Sequence, residues 1–459
     1  MKNFLKEAVS VVPSKRQLDW FDVGFYAFVH FGVNTYTNQE WGHGDEPEEI
    51  FNPIKLDCDQ WVEAVKAAGM KGLILTAKHH DGFCLWPSKY TEHSVKNSPY
   101  KGDVVKEAAE ACRRGGIKFG FYLSPWDRNS KLYGTEEYND YFCNQLTELL
   151  TEYGDIFCVW FDNACGEGPN GVKQQYDFHR YFELIRKYQP GAVIFNDFGP
   201  DTRWCGNEAG SARESEWAVI PSELCKYSEV QTGPGPLAGQ GELVLYNTAK
   251  SLGNLDVAMF SKGLTFTPAE IDTSIRPGWF WHPEEDPRSL EELFQIYVNS
   301  VGGNCCLNLN IPPNKDGLFD EKDVQRLKEL GNMIRECFVE EIPSTLKLRS
   351  ADEETFLPEY EIVFEEATSA YNTIVIEEDL TKGQRIESFQ ILRENTALGK
   401  AFPVYQGRTV GNRKICTLWD ISKGQNPLLF NYERKPVDHL VLRITSSRGP
   451  VHLKSVKVY

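Results

Sequence analysis

The sequence lacks long apolar runs and clusters of basic residues. No stretch of eighteen apolar residues occurs in the 459-residue chain, and residues 1–18 carry Lys, Glu and Arg without an apolar core, so we predict neither a membrane span nor a secretory signal. A formal net charge of −17 without a basic stripe argues against a nucleic-acid partner, because phosphate backbones are bound by positive charge. We therefore expect a soluble, cytoplasmic protein, and small neutral molecules are still possible ligands. A secreted protein whose leader has been removed is the alternative.

The twelve cysteines lack a metal-binding pattern. They lie within apolar runs, and neither a CxxC pair nor a zinc-like spacing to histidine is present. We interpret them as small buried hydrophobic residues in a reducing compartment. The string His79-His80-Asp81 is a candidate for metal binding, but no matching ligands stand at a recognisable spacing. We therefore expect no metal and no cofactor.

The first 340 residues alternate between strand and helix patterns. Apolar runs at 25–32, 71–78, 118–124, 156–164 and 192–196 are separated by amphipathic segments at 56–70, 103–114, 136–153 and 174–188, which predicts parallel βαβ units. We place a sixth strand at 214–220, a seventh within 264–275 and an eighth at 304–311, whereas 221–263 is rich in Gly, Ser and Pro without clear periodicity. Residues 1–340 are thus predicted to form an α/β domain, a (β/α)₈ barrel.

Short alternating runs follow residue 340. Segments at 360–364, 373–377, 388–392, 414–418 and 439–443 alternate apolar and polar side chains between turns, which is typical of antiparallel strands. Residues 341–459 are therefore predicted to form a C-terminal antiparallel β-sandwich domain. We expect it to brace the barrel; glycan binding is the alternative, for which Trp419 is the only tryptophan in the predicted domain.

The segment IFCVWFDNA at residues 156–164 carries a carboxylate, Asp162, at the end of an apolar run. A continuous apolar run bounded by Gly and Pro indicates a strand that is buried on both faces. Asp162 is therefore expected where the strand emerges, and in α/β barrels the carboxyl ends of strands carry the chemistry. An aspartate that only caps the next turn is the alternative.

Polar and aromatic side chains also gather at the other predicted strand ends. They are His30, His79, His80, Tyr122, Trp126, Asn196 and Asp197, with Trp160 within the Asp162 strand. Each has a structural explanation alone, but together they predict one site at the carboxyl end of the barrel. Imidazole, amide and phenol groups exchange hydrogen bonds with hydroxyls, and indole rings cover apolar C–H faces. The set therefore suits a neutral sugar.

Cleavage of a glycosidic bond requires two carboxyl groups. Asp162 can supply the first. We expect the second on a later loop, in RWCGNEAG (203–210) or RESEW (213–217), so that Glu208, Glu214 and Glu216 are the candidates. Glu208 stands in a glycine-bracketed loop near Trp204, a setting that can raise the pKa of a carboxyl group as a general acid requires.

A set of motifs runs in one order along the predicted barrel. They are HFG (30–32), QEW (39–41), AKHHDGF (77–83), YLSPWDRN (122–129), VWFDNA (159–164), IFND (194–197), SIRPGWFWH (274–282), LNIPP (309–313) and DGL (316–318). In these motifs the chain resembles the retaining α-L-fucosidases of glycoside hydrolase family 29. The resemblance implies a barrel followed by a β-sandwich and cofactor-free release of terminal fucose from fucosylated oligosaccharides or glycoconjugates.

The resemblance also implies roles for single residues. Asp162 is expected to be the nucleophile and Glu208 the acid/base. The fucose pocket is expected to consist of His30, Glu40, Trp41, His79, His80, Tyr122, Trp160 and Trp281. RWCGNEAG resembles the loop of the α-1,3/1,4-selective branch, which implies action on Lewis-type glycans. The alternatives are a broad-specificity fucosidase that also cleaves α-1,2 linkages, and a non-catalytic fucose-binding protein.

Overall fold

A computed structural model describes residues 7–225, 250, 252–351, 357–395, 399–418 and 436–459. Within these ranges, eight parallel strands form a barrel. They are β1 (Phe25–Val29), β2 (Gly72–Lys78), β3 (Lys118–Leu123), β4 (Cys158–Trp160), β5 (Val193–Phe195), β6 (Arg203–Trp204), β9 (Ala269–Ser274) and β10 (Cys306–Asn310). Their order is β5-β4-β3-β2-β1-β10-β9-β6, and a parallel bridge between Phe195 and Thr202 nearly closes the ring. The predicted barrel is confirmed.

The predicted sixth strand at 214–220 is wrong. The sixth barrel strand is β6, which has only two residues, one of them an arginine, so that no apolar run marks it. Part of the predicted segment forms β7 (Val219–Pro221), which pairs antiparallel with β8 (Leu264–Phe266) outside the barrel. Residues 226–249 and 251 of the irregular segment lie outside the described residues, as does Trp419.

The helices are α1 (Lys15–Val23), α2 (Val33–Thr37), α3 (Cys58–Ala67), α4 (Val104–Gly115), α5 (Glu137–Glu152), α6 (Phe178–Tyr188), α7 (Leu255–Ala258), α8 (Leu290–Ser300) and α9 (Glu321–Cys337). Several of them begin where a side chain accepts a hydrogen bond from the first turn. Asp57, Asp103, Asp177, Ser289 and Asp320 are such caps, before α3, α4, α6, α8 and α9. In the described ranges, no helix is both long enough and apolar enough to cross a bilayer.

The inside of the barrel is filled from its amino-terminal end. Trp20 on α1 packs into the inner apolar cluster with Tyr26, and its indole Nε1 donates a hydrogen bond of 2.9 Å to the Tyr26 hydroxyl. Gln17 Nε2 donates to the carbonyl oxygens of Asp201 and Phe266, at 2.8 and 2.7 Å. The helix α1 therefore holds chain segments that lie far apart in the sequence, on the loop before β6 and at the end of β8.

Two antiparallel sheets follow the barrel. Their strands are β11 (Ser344–Ser350), β12 (Glu359–Thr368), β13 (Thr373–Glu378), β14 (Ile386–Asn395), β15 (Lys400–Arg408), β16 (Lys414–Thr417), β17 (Val437–Ser447) and β18 (Leu453–Val458). The sheets have the orders β11-β12-β17-β14-β15 and β16-β13-β18, and Ile362, Ile374 and Leu442 belong to their shared apolar cluster. The predicted antiparallel domain is confirmed, and its predicted start at residue 341, between α9 and β11, stays a prediction.

Candidate active site

A cavity of about 450 Å³ lies at the carboxyl ends of the barrel strands. This volume falls within the range of small-molecule sites. Its wall combines carboxyl groups, imidazoles and aromatic rings. The lining residues are Phe28, His30, Glu40, Trp41, His79, His80, Tyr122, Trp160, Asp162, Ala164, Glu208, Asp272 and Trp279. The predicted pocket and catalytic residues therefore converge in one place, with the exception of Trp281; Trp126, Asn196 and Asp197 also lie outside this lining.

Asp162 follows β4 by two residues and is held by three neighbours. Its Oδ2 accepts a hydrogen bond of 3.2 Å from the Tyr122 hydroxyl and lies 3.7 Å from His80 Nε2. Its Oδ1 accepts a hydrogen bond of 2.7 Å from the Ala164 backbone N–H. The side chain keeps 30% of its surface exposed, so the carboxylate is oriented and also open to a ligand in the cavity.

The three histidines are buried and neutral at neutral pH. Burial lowers the pKa of His30 to about 3 and that of His79 well below the ordinary value. Burial also lowers the pKa of His80, although the charge of Asp162 acts in the opposite direction. The Nδ1 atoms of His30 and His80 lie 2.8 Å from Asn310 Oδ1 and 2.7 Å from Ser124 Oγ. Neutral imidazoles both donate and accept hydrogen bonds, which suits uncharged hydroxyl groups.

Trp160 forms a rigid aromatic wall. Its ring stacks on Phe195 at 4.2 Å between centroids, with 9° between the planes. Its Nε1 donates a hydrogen bond of 2.7 Å to the buried Oε1 of Glu270, which also accepts from Asn308 Nδ2 at 3.1 Å. Burial raises the pKa of Glu270 to about 7, against the effect of its hydrogen bonds. The ring is therefore fixed on one face and at its nitrogen.

Glu40 shapes the cavity by holding the loop after β9. Its carboxylate accepts hydrogen bonds from the backbone N–H groups of Trp279 and Phe280, at 2.8 and 3.2 Å, and lies 2.6 Å from His282 Nε2. These contacts place the Trp279 ring in the cavity wall, 5.1 Å from the His30 ring. The structure thus brings Trp279 to the cavity, where the sequence motif favoured Trp281. Four consecutive residues of this loop, at positions 279–282, are aromatic or His, and the sequence does not give the direction of each side chain.

Trp41 stands at the mouth of the cavity. Its side chain is 58% exposed, and its ring meets the rings of Trp126 and His80 edge-on at 5.8 and 5.9 Å. A large exposed indole beside a cavity offers an apolar face to a ligand that extends beyond the cavity.

Glu208 lies on the loop after β6 and is exposed at the cavity rim. Its backbone carbonyl accepts a hydrogen bond of 2.8 Å from Thr273 Oγ1 on β9. Although the residue as a whole is exposed, its carboxyl group is partly buried; this burial raises the pKa, as do the charges of Asp162 and Glu40, while a hydrogen bond with Trp279 lowers it. A raised pKa keeps a carboxyl group protonated closer to neutral pH, as a general acid requires.

The other two candidate glutamates lie elsewhere. The Glu214 side chain is 84% exposed and lies 3.6 Å from Arg408 Nε in the C-terminal domain. Glu216 is buried against Arg203 and Arg213; burial alone would raise its pKa, but the two guanidinium groups lower it below the usual value. Of these three glutamates, which the structure describes in full, only Glu208 lines the cavity.

Sequence reasoning missed Asp272 and Trp279, together with Phe28 and Ala164. Asp272 lies inside β9 and not at its end, so that a search for polar residues after each strand passes over it. The signal that was present is the alternation Glu270-Ile271-Asp272, which puts two acids on one face of a strand.

Three comparisons place these observations among known proteins. A family model described as alpha-L-fucosidase matches residues 8–336. Alpha-L-fucosidase 1 of Arabidopsis thaliana is 39% identical over 450 residues, covering 90% of this chain and 83% of the relative. Putative alpha-L-fucosidase 1 of Oryza sativa subsp. japonica is 37% identical over 439 residues, covering 88% and 79%.

Solved structures give the same result. The crystal structure of a putative alpha-L-fucosidase from Bacteroides ovatus superposes with a TM-score of 0.86 at 39% identity, covering 100% of this chain and 75% of that one. A glycoside hydrolase 29 fucosidase from Ruminococcus gnavus, solved in complex with fucose, superposes with a TM-score of 0.81 at 29% identity, covering 98% and 95%.

We predict that Glu216→Gln destabilises the fold by about 3–5 kcal/mol, because it leaves two buried guanidinium groups without their carboxylate. Urea unfolding measures this loss, and Glu214→Gln, the same change on an exposed side chain, should stay within about 0.5 kcal/mol of the wild type. The folded-state pKa of Glu216 is lowered. Its contribution to the free energy of unfolding is therefore fully present above the unfolded-state pKa of about 4.3 and is lost as the pH falls through the lower, folded-state pKa. A stable Glu216→Gln variant without activity would instead indicate a catalytic role.

Proposed function

Because this chain belongs to the α-L-fucosidases of glycoside hydrolase family 29, we propose that it is an exo-acting enzyme that releases terminal fucose with retention of configuration. Its α-L-fucosidase activity follows from the family. The proposal adds Asp162 as nucleophile, Glu208 as acid/base and α-1,3/1,4-linked fucose of Lewis-type glycans as substrate. One observation carries it: Asp162 and Glu208, from different parts of the chain, line the same cavity.

In the first step, an Asp162 carboxylate oxygen forms a bond to the anomeric carbon while the bond to the leaving oxygen breaks. Glu208 gives its proton to that oxygen. In the second step, Glu208 as carboxylate takes a proton from water, whose oxygen attacks the anomeric carbon and releases Asp162. Two displacements at one carbon give net retention. The hydrogen bonds to both oxygens of Asp162 support this role, because they fix the orientation of the carboxylate.

The rest of the cavity fits one terminal sugar. His30, His79 and His80 present neutral nitrogens for the hydroxyl groups, while Tyr122, Trp160 and Trp279 offer aromatic surface for the C–H faces and the methyl group of a 6-deoxy sugar. His80 also lies beside the nucleophile, with its Nε2 3.7 Å from Asp162 Oδ2. It can therefore stay next to this carboxylate oxygen while the bond to the sugar forms and breaks. Glu40 acts mainly through the loop that it holds.

The preference for α-1,3/1,4 linkages rests on the resemblance of residues 203–210 and on the cavity mouth. A branched leaving group has two further sugars near the scissile bond, and the exposed ring of Trp41, which rests edge-on against the buried Trp126 ring, offers a surface for such a group. Broad specificity that includes α-1,2 linkages is the second candidate. Fucosylated oligosaccharides or glycoconjugates are the proposed ligands, and the cytoplasmic location stays a prediction.

We predict that Glu208→Ala lowers turnover of oligosaccharides by about 10²–10⁴-fold, the usual contribution of a general acid. Azide should restore activity on an aryl fucoside with an activated leaving group, because the first step then needs little acid help and azide needs no general base in the second step. The product should be α-fucosyl azide, since azide then attacks the covalent intermediate. With Asp162→Ala, azide can only displace the leaving group directly, so β-fucosyl azide is the expected product.

NMR of the azide adducts reads both configurations. Glu214→Ala is the matched control and should need no rescue. Absence of rescue in Glu208→Ala, together with rescue in a Glu214 or Glu216 variant, would move the acid/base role to that residue.

We predict at least about tenfold higher kcat/KM on Lewis-type α-1,3/1,4-fucosylated trisaccharides than on H-type α-1,2-fucosylated ones, which equals about 1.4 kcal/mol of transition-state binding. Released fucose is quantified by chromatography. Equal rates would establish broad specificity instead, and fucose binding without any release would indicate a non-catalytic binding protein.

A further inference from the structure

Asp272 is a buried acid in the cavity wall to which neither the motifs nor the mechanism gives a role. It lies on β9 in register with Asn308 of β10 and two residues after Glu270. Alternate residues of a strand share a face, and Glu270 reaches across the barrel interior to Trp160 Nε1 at 2.7 Å. Asp272 therefore also faces inward, and it lines the cavity with only 5% of its surface exposed.

One oxygen of this acid has no partner. Asp272 Oδ1 is buried, and within the described residues no group stands at hydrogen-bond distance from it. Buried polar atoms are almost always hydrogen-bonded, and an unpaired one costs free energy. Strand β9 also carries Glu270, whose carboxylate accepts from Trp160 and Asn308. The contrast between the two acids points to a partner for Asp272 that arrives with the ligand.

The surroundings of Asp272 favour its uncharged form. Burial raises its pKa well above the ordinary value, and the neighbouring acids Glu270, Glu208 and Asp197 raise it further. The Cys205 thiol is also close enough for its own pKa to be raised by Asp272, after the larger effect of burial. A protonated carboxyl group carries one O–H donor, which an ionised carboxylate lacks.

We propose that Asp272 is a specificity-determining residue that, as a neutral carboxylic acid, donates a hydrogen bond to a hydroxyl group of the bound terminal sugar. The inference rests on the proposed placement of fucose in this cavity. Asp272 is buried, whereas Glu208 and Trp41 at the mouth are exposed. A hydrogen bond from Asp272 would therefore go to the terminal sugar inside the cavity and not to the leaving group at its mouth. A sugar hydroxyl both donates and accepts hydrogen bonds. It can therefore accept a hydrogen bond from the protonated carboxyl group and occupy the open position beside Oδ1.

If Asp272 had a purely structural role, its proton would be used inside the protein and not by the sugar. Asn308 Oδ1, on the strand next to Asp272, is also buried without a partner among the described residues. If the Asp272 proton belonged to that oxygen, the acid would stabilise the barrel and leave sugar binding unaffected. Sugar affinity and fold stability therefore separate the two roles.

The test compares Asp272→Asn, Asp272→Ala and the wild type by calorimetric titration with L-fucose, together with the Tm of each free protein. Asparagine keeps a neutral acceptor and a donor in nearly the same shape, so its Kd should stay within about threefold of the wild type. Alanine removes both groups, and its Kd should rise about tenfold or more without a fall in Tm. Glu214→Gln is the control for a carboxyl-to-amide change outside the cavity.

Equal affinity of the wild type and Asp272→Ala would overturn the inference, and a lowered Tm in that variant would then assign the acid to Asn308. A loss in Asp272→Asn as large as in Asp272→Ala would overturn it as well, because it would indicate a charged carboxylate. If the alanine variant fails to fold, Asp272→Leu, which nearly keeps the shape of the side chain and removes both polar groups, replaces it with the same expected rise in Kd. Wild-type protein that binds no fucose would overturn the site itself, a result distinct from failure of Asp272 alone.

Discussion

The buried carboxyl group of Glu270 is the contact on which the arrangement of the cavity depends. From β9 it accepts hydrogen bonds from Tyr26 on β1, Trp160 on β4 and Asn308 on β10. Burying a carboxyl group is costly unless its oxygens are satisfied, and here one group links four strands across the barrel interior. These contacts connect Glu270 to the proposed nucleophile. The Trp160 ring lies against the Tyr122 ring at 5.2 Å between centroids, and the Tyr122 hydroxyl donates a hydrogen bond to Asp162.

The electrostatic surroundings give different properties to the carboxyl groups of the cavity, although these groups are chemically alike. The cavity holds three buried imidazoles with lowered pKa values and several carboxyl groups, and none of the described residues that line it is a lysine or an arginine. Such a wall binds an uncharged ligand through hydrogen bonds. Burial and the charges of neighbouring acids raise the pKa of Glu208 and of Asp272. Asp162, with its oxygens hydrogen-bonded, is suited to attack, and Glu208, with a raised pKa, is suited to hold a proton.

Much of this arrangement could be predicted from the sequence because strand ends and helix caps are local signals. The apolar runs located β1 to β5, and the polar residues after them identified His30, His79, His80 and Asp162. The two-residue strand β6 has no such signal. The choice between Glu208 and Glu216 also depends on a distant contact, because Arg203 of β6 buries Glu216 in an ion pair. Trp279 and Asp272 required side-chain directions, which spacing alone does not give.

The central claim is that Asp162 forms the bond to the sugar, and trapping the covalent intermediate tests it most directly. A 2-deoxy-2-fluoro fucosyl fluoride destabilises the oxocarbenium-like transition states of both steps, while its good leaving group keeps the first step fast enough for the ester to accumulate. Peptide mass spectrometry of the inactivated enzyme should locate the fluorofucosyl group on Asp162. An adduct on a different residue, or full inactivation without any covalent adduct, would contradict the account.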